Sequence, residues 1–133
     1  MDRYRLDGKT AIITGGAGGL GRAMVATFAE AGANVVVASR NQENIEKVVQ
    51  DLMSRGHSAL AVPVDITDEA AVGRMIDRTV EAFGTVDIIV NNAGRWGKSH
   101  LAEDTPLDEW RDVIDQNLTG LFIPCMAAGR QMI

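Results

Sequence analysis

The sequence contains a single cysteine and no long apolar run. With Cys125 alone, an internal disulfide bond is excluded. Cys125 lies in the apolar stretch LFIPCMAA, so we interpret it as a small buried hydrophobic residue rather than as a nucleophile. No apolar stretch approaches the roughly 20 residues that a membrane-spanning helix requires. The sequence therefore predicts neither a disulfide-stabilised nor a membrane-embedded protein.

Basic residues and histidines are also scarce. The chain has 13 Lys and Arg against 18 Asp and Glu, a formal net charge of -5, and its basic residues are scattered. A nucleic-acid partner, which would require a basic surface, is therefore not expected. The polar start MDRYRLDGK differs from a signal peptide, which favours a cytoplasmic location. The only histidines, His57 and His100, do not form a ligand cluster, so no metal site is predicted, and we expect His100 to be a solvated loop residue.

Apolar segments of strand length alternate with segments of helical periodicity, and the helices are predicted to end at Gly32, Gly56 and Gly84. This alternation predicts a single α/β domain, residues 1–133, with right-handed βαβ units and a parallel sheet covered on both faces. In a Rossmann-type doubly wound order 3-2-1-4, the third strand lies at a sheet edge, where the missing N–H of Pro63 is tolerated. The predicted strands are 11–14, 34–39, 58–65 and 86–92.

Capping residues predict where the later helices begin. Thr67 is predicted to cap the third helix, and Thr105-Pro106 to begin a long last helix. Pro124 lacks an N–H and crowds the carbonyl four residues earlier, so a kink is expected between 117 and 124.

The fourth strand would leave a long apolar edge uncovered, and the last helix reaches Ile133 without a stop signal. We therefore expect a domain that is truncated at its C-terminus, with the remaining strands missing.

The stretch TGGAGGLG, residues 14–21, places five glycines directly after the first predicted strand. A strand, a glycine-rich turn and a helix N-terminus together make an anion site, because free N–H groups face the ligand and absent side chains let a diphosphate approach. GAGGLG, residues 16–21, matches the dinucleotide-binding pattern G-x-G-x-x-G. The alternative is a turn whose glycines only let the helix pack on the strand. A P-loop is excluded, because no GK[ST] follows.

The end of the second predicted strand bears on the choice of dinucleotide. In this position an acidic residue would bind the ribose 2′-hydroxyl of NAD. The sequence instead has Ala38-Ser39-Arg40, and a guanidinium suits a 2′-phosphate through paired donors. NADP(H) is therefore favoured as the cofactor and NAD(H) remains possible. The alternative is that Arg40 is only a solvated charge.

Four motifs together resemble the short-chain dehydrogenase/reductase family over the whole chain. The cofactor motif T-G-x-x-x-G-x-G matches residues 14–21, and N-N-A-G stands at 91–94. Asp65 in VDIT matches the family's adenine-contacting Asp, and Asn117 in NLTG matches its catalytic Asn. The resemblance implies a Rossmann fold and NAD(P)-dependent hydride transfer to or from a carbonyl or alcohol.

The resemblance also implies the site residues. Asn117 is the implied catalytic residue, in a helix interruption that holds a water of the proton relay; a bend without catalytic meaning is the alternative. Asp65 has an alternative role as a turn residue. Thr14 is expected to tie the glycine turn to the N-N-A-G loop, and Asn91 to cross-link neighbouring strands. The implied cofactor-binding residues are Thr14, Gly15, Gly19, Leu20, Gly21, Ser39, Arg40, Asn41, Asp65, Ile66, Asn91, Ala93 and Gly94.

The chain departs from the family in its proton-transfer residues. The family's Ser and its Tyr-x-x-x-Lys pair would lie beyond Ile133, and the only tyrosine is Tyr4. Two hypotheses follow: the cofactor-binding part of an oxidoreductase, or a dinucleotide-binding module without turnover. Arg95, Trp96 and Lys98 are expected to border the entrance for a small carbonyl or alcohol, of the sugar-acid, polyol or 3-oxoacyl class.

The resemblance further implies a homodimer or homotetramer. Family members usually associate through the long helix that corresponds to the last predicted helix of this chain. An apolar helix surface of this kind is otherwise costly to expose to water. The residues concerned are Leu118, Leu121, Phe122 and Met126.

Overall fold

The computed structural model describes residues 4–133 as a four-stranded sheet with helices on both faces. The strands are β1 (Thr10–Thr14), β2 (Asn34–Ser39), β3 (Ala59–Pro63) and β4 (Ile88–Val90). The helices are α1 (Gly19–Glu30), α2 (Gln42–Ser54), α3 (Glu69–Phe83), α4 (Leu107–Ile114) and α5 (Gly120–Met132). A 3₁₀ turn (Ala102–Asp104) precedes α4, and a π-helical turn (Asp115–Thr119) joins α4 to α5.

All strand pairs are parallel and the order is β3-β2-β1-β4, which confirms the predicted doubly wound Rossmann-type topology. Ile12 of β1 lies between Val36 of β2 and Ile89 of β4 in the register. Pro63 ends β3 at the sheet edge, as its missing N–H predicts. Strand β4 occupies the opposite edge and pairs with β1 alone.

Alternating side chains of each strand enter one of two apolar cores. Ile13 and Val37 pack with α1 and α2 on one face of the sheet, where Ile45 and Leu52 are buried. The other face packs against α3 and α5 and buries residues including Ile12, Val36, Val72, Met75 and Ala128. Because both faces are covered, the strands are apolar throughout rather than in alternation. No helix within residues 4–133 combines the length and the apolar character needed to cross a membrane.

Several predicted boundaries were wrong, and among them the third strand covers Ala59–Pro63 rather than 58–65. The fourth strand covers only Ile88–Val90, because the chain turns away from β1 after Val90. Helix α3 is capped by Asp68, whose side chain accepts from the Ala71 amide, while the Thr67 hydroxyl donates to Asp65. Helix α4 begins at Leu107 without a capping side chain, since the Thr105 hydroxyl donates to the carbonyl of Leu101.

The helix interruption that the resemblance implied at Asn117 is present as a π-helical turn. The amide of Gly120 donates to the carbonyl of Asp115, five residues earlier, so one extra residue is accommodated in the turn. Helix α5 then continues through Pro124 to Met132. The interruption therefore centres on residues 115–119 rather than on the proline.

Candidate functional site

Loops at the carboxyl ends of β1 and β4 are joined by Thr14. Its hydroxyl oxygen accepts hydrogen bonds from the amides of Asn92 and Ala93, both at 3.1 Å, and donates to the carbonyl of Val90 at 3.3 Å. The Thr14 side chain is buried, with 1% exposure. The predicted tie between the glycine turn and the loop 91–94 is therefore confirmed.

Asn92, rather than Asn91, makes the cross-link that the sequence assigned to Asn91. The Asn92 Nδ2 atom donates to the carbonyl oxygens of Thr14 at 3.0 Å and Gly15 at 3.3 Å. Asn91 points to α5, where its Nδ2 atom donates to Cys125 Sγ at 3.0 Å, and its buried Oδ1 has no partner within residues 4–133. The prediction for Asn91 was wrong because consecutive residues leaving a strand point in different directions.

Cys125 is exposed, so its interpretation as a buried residue was wrong. Helix α5 buries Gly120, Pro124 and Ala128, which recur every four residues on one face. Cys125 is offset from that stripe by one position, about 100° around the helix. Small residues at the buried positions make this stripe hard to recognise from hydrophobicity.

Four of the five glycines of the turn 14–21 form two pairs with different surroundings. A Cβ on Gly21 would lie 2.2 Å from the carbonyl oxygen of Gly15, and one on Gly15, which has φ +65°, would lie 2.9 Å from the Ala93 Cα. These two glycines allow α1 and the loop 91–94 to approach each other. A Cβ on Gly18 or Gly19 would meet nothing within 4 Å. Those two positions leave open space beside the backbone.

The N-terminus of α1 has the features of an anion site. Its N-cap residue is Gly18, no side chain caps it, and no acidic residue occupies the first turn. The first N–H groups of a helix have no intrahelical partner, and the helix dipole favours negative charge there. An anionic group can therefore approach these amides without displacing a side chain.

Two adjoining clefts lie at the carboxyl edge of the sheet and share Gly15, Ala93 and Gly94. The larger, of about 530 Å³, runs from the start of α1 to the π-helical turn; it is lined by Gly15, Gly18, Gly19, Leu20, Asn92, Ala93, Gly94, Arg95, Trp96 and Asn117. The smaller, of about 250 Å³, lies at the end of β2; it is lined by Gly15, Ala38, Ser39, Arg40, Asn41, Val64, Ile66, Ala93, Gly94 and Gln116.

Most site residues expected from the sequence line one of these clefts. The larger cleft brings together Gly15, Gly19, Leu20, Ala93, Gly94 and Asn117. The smaller contains Ser39, Arg40, Asn41 and Ile66, beside the three shared residues. Four expected residues do not line either cleft: Thr14, Gly21, Asp65 and Asn91. Thr14 and Gly21 instead shape the backbone behind the larger cleft.

Asp65 forms a local turn. Its Oδ1 atom accepts hydrogen bonds from the Thr67 amide at 3.0 Å and the Thr67 hydroxyl at 2.7 Å. The Thr67 amide, followed by its hydroxyl, holds the pKa of Asp65 below the ordinary value, and nearby Arg40 contributes in the same direction. The alternative role of Asp65 as a turn residue is therefore observed, and contact with an adenine stays a prediction.

The end of β2 presents a cation beside two short polar side chains. Arg40 is exposed and forms no ion pair with any of residues 4–133. The Ser39 hydroxyl accepts from the Asn41 amide at 3.3 Å, and Asn41 caps α2 by accepting from the Asn44 amide at 3.0 Å. These bonds fix the backbone on both sides of Arg40, whose guanidinium remains accessible from the smaller cleft.

Asn117 is held by the backbone of Arg95. Its Oδ1 atom accepts from the Arg95 amide, and its Nδ2 atom donates to the Arg95 carbonyl, both at 2.8 Å. The side-chain amide is thus used to fix the chain just after Gly94, whose added Cβ would lie 3.0 Å from Asn117 Oδ1. A catalytic role for Asn117 stays a prediction.

The loop that follows Gly94 is anchored to α4 by acidic residues. Arg95 pairs with Asp112, and Glu109 accepts from the Lys98 amide and lies 3.0 Å from His100 Nε2. The Lys98 amide is the main reason that the pKa of Glu109 lies below its ordinary value. His100 is exposed in this loop, as expected, and its contact with Glu109 lies at the surface. Trp96, at 96% exposure, lies at the rim of the larger cleft.

Sequence reasoning missed five residues of the clefts, namely Gly18, Ala38, Val64, Asn92 and Gln116. Gly18 and Asn92 belong to motifs that the sequence displays, so their positions could have been inferred. Gln116 gave no signal, because it lines the smaller cleft only through the π-helical turn. No tyrosine, lysine or histidine lines either cleft. The described residues thus supply backbone donors for binding, without a positioned proton donor.

A model of the short chain dehydrogenase family matches residues 9–133. A short chain dehydrogenase/reductase of Colletotrichum higginsianum is 45% identical over 128 residues, 96% of this chain and 48% of that protein. The solved structure of a short-chain type dehydrogenase/reductase from Mycobacterium marinum has a TM-score of 0.94 and 37% identity, covering 98% of this chain and 53% of that one. A 7α-hydroxysteroid dehydrogenase complexed with NADH and 7-oxo glycochenodeoxycholic acid has a TM-score of 0.92 and 37% identity, covering 98% and 51%. The chain thus spans about half the length of these relatives.

Proposed function

The chain belongs to the short-chain dehydrogenase family, and from this premise we propose that it forms the dinucleotide-binding part of an NAD(P)-dependent oxidoreductase. The observation that carries the proposal is the uncapped first turn of α1 beside Gly18 and Gly19, where added Cβ atoms would meet only open space. This cradle fits a diphosphate, since N–H groups face it without intervening side chains. A relative of similar fold is complexed with NADH, which agrees with this fit.

In this proposal the nicotinamide supplies the hydride chemistry, and the residues of the chain bind and orient. Thr14 and Asn92 hold the loop 91–94 against the glycine turn, so that Ala93 and Gly94 form a wall of the larger cleft. Asn117 fixes the next residue of that loop through Arg95. Asn117 and Trp96 border the part of the larger cleft in which a small carbonyl or alcohol would be held.

NADP(H) is the favoured cofactor because Arg40 is an exposed cation at the end of β2 that forms no ion pair within residues 4–133. Replacement of this cation with a carboxylate, Arg40→Asp, removes the partner of a 2′-phosphate and adds repulsion. We expect NADP⁺ affinity to fall roughly 100-fold, since hydrogen bonds to charged groups are worth about 1.5–3 kcal/mol. NAD⁺ affinity should be retained or should rise, because NAD⁺ carries no 2′-phosphate and a carboxylate at this position can accept from its 2′-hydroxyl.

Isothermal titration calorimetry of the chain with NADP⁺ and NAD⁺ tests both proposals. Arg111→Asp is the matched control, because Arg111 is exposed and lies away from the two clefts. If neither dinucleotide binds the unaltered chain, the proposed function is wrong. If Arg40→Asp leaves NADP⁺ binding unchanged while the unaltered chain binds it, only the cofactor preference is wrong.

A second candidate function is a dinucleotide-binding module without turnover. It is favoured by the absence of tyrosine, lysine and histidine from the residues that line the two clefts. Oxidation of NADPH with a panel of sugar-acid, polyol-derived and 3-oxoacyl carbonyl compounds separates the two functions. Turnover by the chain favours the oxidoreductase, and binding without turnover favours the module.

Self-association is proposed for the surface formed by the π-helical turn and α5. Leu118 and Phe122 are 65% and 64% exposed there, and large exposed apolar patches mark interaction sites. A homodimer or homotetramer would cover these side chains, as the family resemblance implies. Sedimentation equilibrium of the chain over a range of concentrations measures the assembly state.

A further inference from the structure

We propose that Trp96 is a specificity-determining residue, which favours a carbonyl or alcohol substrate with an apolar ring over a sugar acid or a polyol. This assignment rests on the proposed function and names the substrate class of the same site. Trp96 lies in the loop 95–100, between β4 and α4, and lines the larger cleft. The backbone on both sides of it is fixed, its indole is exposed, and the polar side chains of the cleft are bonded to the protein itself.

The chain before Trp96 is held by the π-helical turn and by α4. The Arg95 amide donates to Asn117 Oδ1 and the Arg95 carbonyl accepts from Asn117 Nδ2, both at 2.8 Å. The Arg95 guanidinium pairs with Asp112 of α4. Arg95 is therefore fixed through its backbone and through its side chain.

The chain after Trp96 is held by Glu109 of α4. One carboxylate oxygen of Glu109 accepts from the Lys98 amide, and the other lies 3.0 Å from His100 Nε2. The backbone at Gly97 also approaches α4 closely, since an added Cβ would lie 3.3 Å from Glu109 Oε1. The loop that carries Trp96 is thus fixed before a ligand binds, which lowers the entropic cost of binding.

The indole of Trp96 is an apolar surface without cover. Trp96 is 96% exposed, although tryptophan is on average a highly buried residue. Leu20, at the α1 end of the same cleft, is 73% exposed. A flat ring that enters the cleft can stack on the indole and remove apolar surface from water, and both effects favour binding.

The polar side chains of the larger cleft are directed to the protein. Asn92 Nδ2 donates to the glycine turn, the polar atoms of Asn117 bond to the backbone of Arg95, and the Arg95 guanidinium pairs with Asp112. Within residues 4–133 no other polar or charged side chain lines this cleft. Hydroxyl and carboxylate groups of a sugar would therefore lose hydrogen bonds to water without gaining side-chain partners. An apolar ring has no such loss.

The chain contains two tryptophans, Trp96 and Trp110, so each gives one indole N–H signal in a proton–nitrogen NMR spectrum. Trp110→Phe identifies the Trp96 signal as the one that remains. The probes are α-tetralone, a ketone fused to an apolar ring, xylulose, a ketose, and galacturonate, a sugar acid. Each is titrated into the chain saturated with NADP⁺ or NAD⁺. We expect α-tetralone to shift the Trp96 signal and to bind at least about tenfold more tightly than either sugar.

Substitution of Trp96 tests the same assignment through affinity. Trp96→Ala should weaken α-tetralone binding about tenfold, because stacking and apolar burial are both lost. Trp96→Phe keeps a flat ring and should remain within about threefold of the unaltered chain. Trp110→Ala is the matched control, because Trp110 is 54% exposed on α4 and lines neither cleft. It should leave α-tetralone binding unchanged.

Four outcomes would overturn the assignment. The Trp96 signal stays in place during the α-tetralone titration, or xylulose or galacturonate binds as tightly as α-tetralone; either result counts even if Trp96→Ala does not fold. Equal losses of affinity in Trp96→Ala and Trp110→Ala would also overturn it. If the unaltered chain binds a dinucleotide but not α-tetralone, only this assignment fails. If it binds neither NADP⁺ nor NAD⁺, the proposed function fails together with it.

Discussion

Replacement of Gly21 with alanine should destabilise the fold, although alanine is the better helix former. Gly21 lies in the first turn of α1, and an added Cβ would lie 2.2 Å from the carbonyl oxygen of Gly15 and 2.6 Å from Asn92 Nδ2. Both neighbours are fixed, since Asn92 Nδ2 itself donates to the carbonyl oxygens of Thr14 and Gly15. The methyl group can therefore be accommodated only if α1 moves away from the loop 91–94.

The expected magnitude follows from two opposing effects. Overpacking against fixed neighbours typically costs about 1–3 kcal/mol, and contact with backbone at this distance places Gly21→Ala near about 3 kcal/mol. Alanine recovers up to about 1 kcal/mol relative to glycine in a helix. The free energy of unfolding should therefore fall by about 2 kcal/mol, which lowers the Tm of a chain of this size by about 8 °C.

Gly73 provides the matched control within the same molecule. It lies inside α3, and an added Cβ would meet nothing within 4 Å, so Gly73→Ala gains helix propensity without a clash. We expect the free energy of unfolding to rise by about 0.5–1 kcal/mol. Urea unfolding followed by circular dichroism measures both variants. If Gly21→Ala is as stable as Gly73→Ala, the close packing of α1 on the loop 91–94 is wrong.

Two further predictions concern the ties between β1 and the loops around β4. Thr14→Val removes the acceptor of the half-buried amides of Asn92 and Ala93, so the free energy of unfolding in urea should fall by about 2 kcal/mol, whereas Thr14→Ser should lower it by less than about 1 kcal/mol. Equal losses in the two variants would exclude the hydroxyl as the cause. Asp87 accepts from the Thr10 amide at 2.9 Å, which lowers the pKa of Asp87, so its stabilisation is present above the unfolded pKa of about 3.9 and is lost as the pH falls through the lower folded value. Asp87→Asn should thus be less stable by about 1 kcal/mol at neutral pH, with the difference closing below about pH 4, and a constant difference down to about pH 2 would contradict this linkage.

The order of the strands could be predicted because each strand is a continuous apolar segment of the sequence, and such segments are buried in the sheet. Continuous apolar segments require cover on both faces, and the alternation with helices permits only a doubly wound parallel sheet. Pro63 then fixed which strand lies at an edge. Helix starts were less predictable, because Thr67 and Asp68 are both good N-cap residues. Asp68 caps α3, because the Thr67 hydroxyl donates to Asp65 instead.

The candidate site could be predicted at positions that only one residue type, glycine, can occupy. Glycines with positive φ or close backbone neighbours, such as Gly15 and Gly21, are needed wherever the glycine turn forms. Side-chain direction after a strand is a different problem. Asn91 and Asn92 are chemically identical neighbours, and only the path of the loop decides which of them donates to Thr14 and Gly15.

The π-helical turn explains why helical periodicity could not predict that Gln116 and Asn117 line the clefts. In an α-helix Gly120 would donate to the residue four positions earlier, and here it donates to Asp115, so the turn holds one residue more. The consecutive residues Gln116 and Asn117 then line the smaller and the larger cleft, respectively. Consecutive residues of a helix point in directions about 100° apart, so neighbouring side chains can reach different clefts. The π-helical turn therefore places one side chain at each of two neighbouring clefts, which a search for regular helical periodicity would not identify.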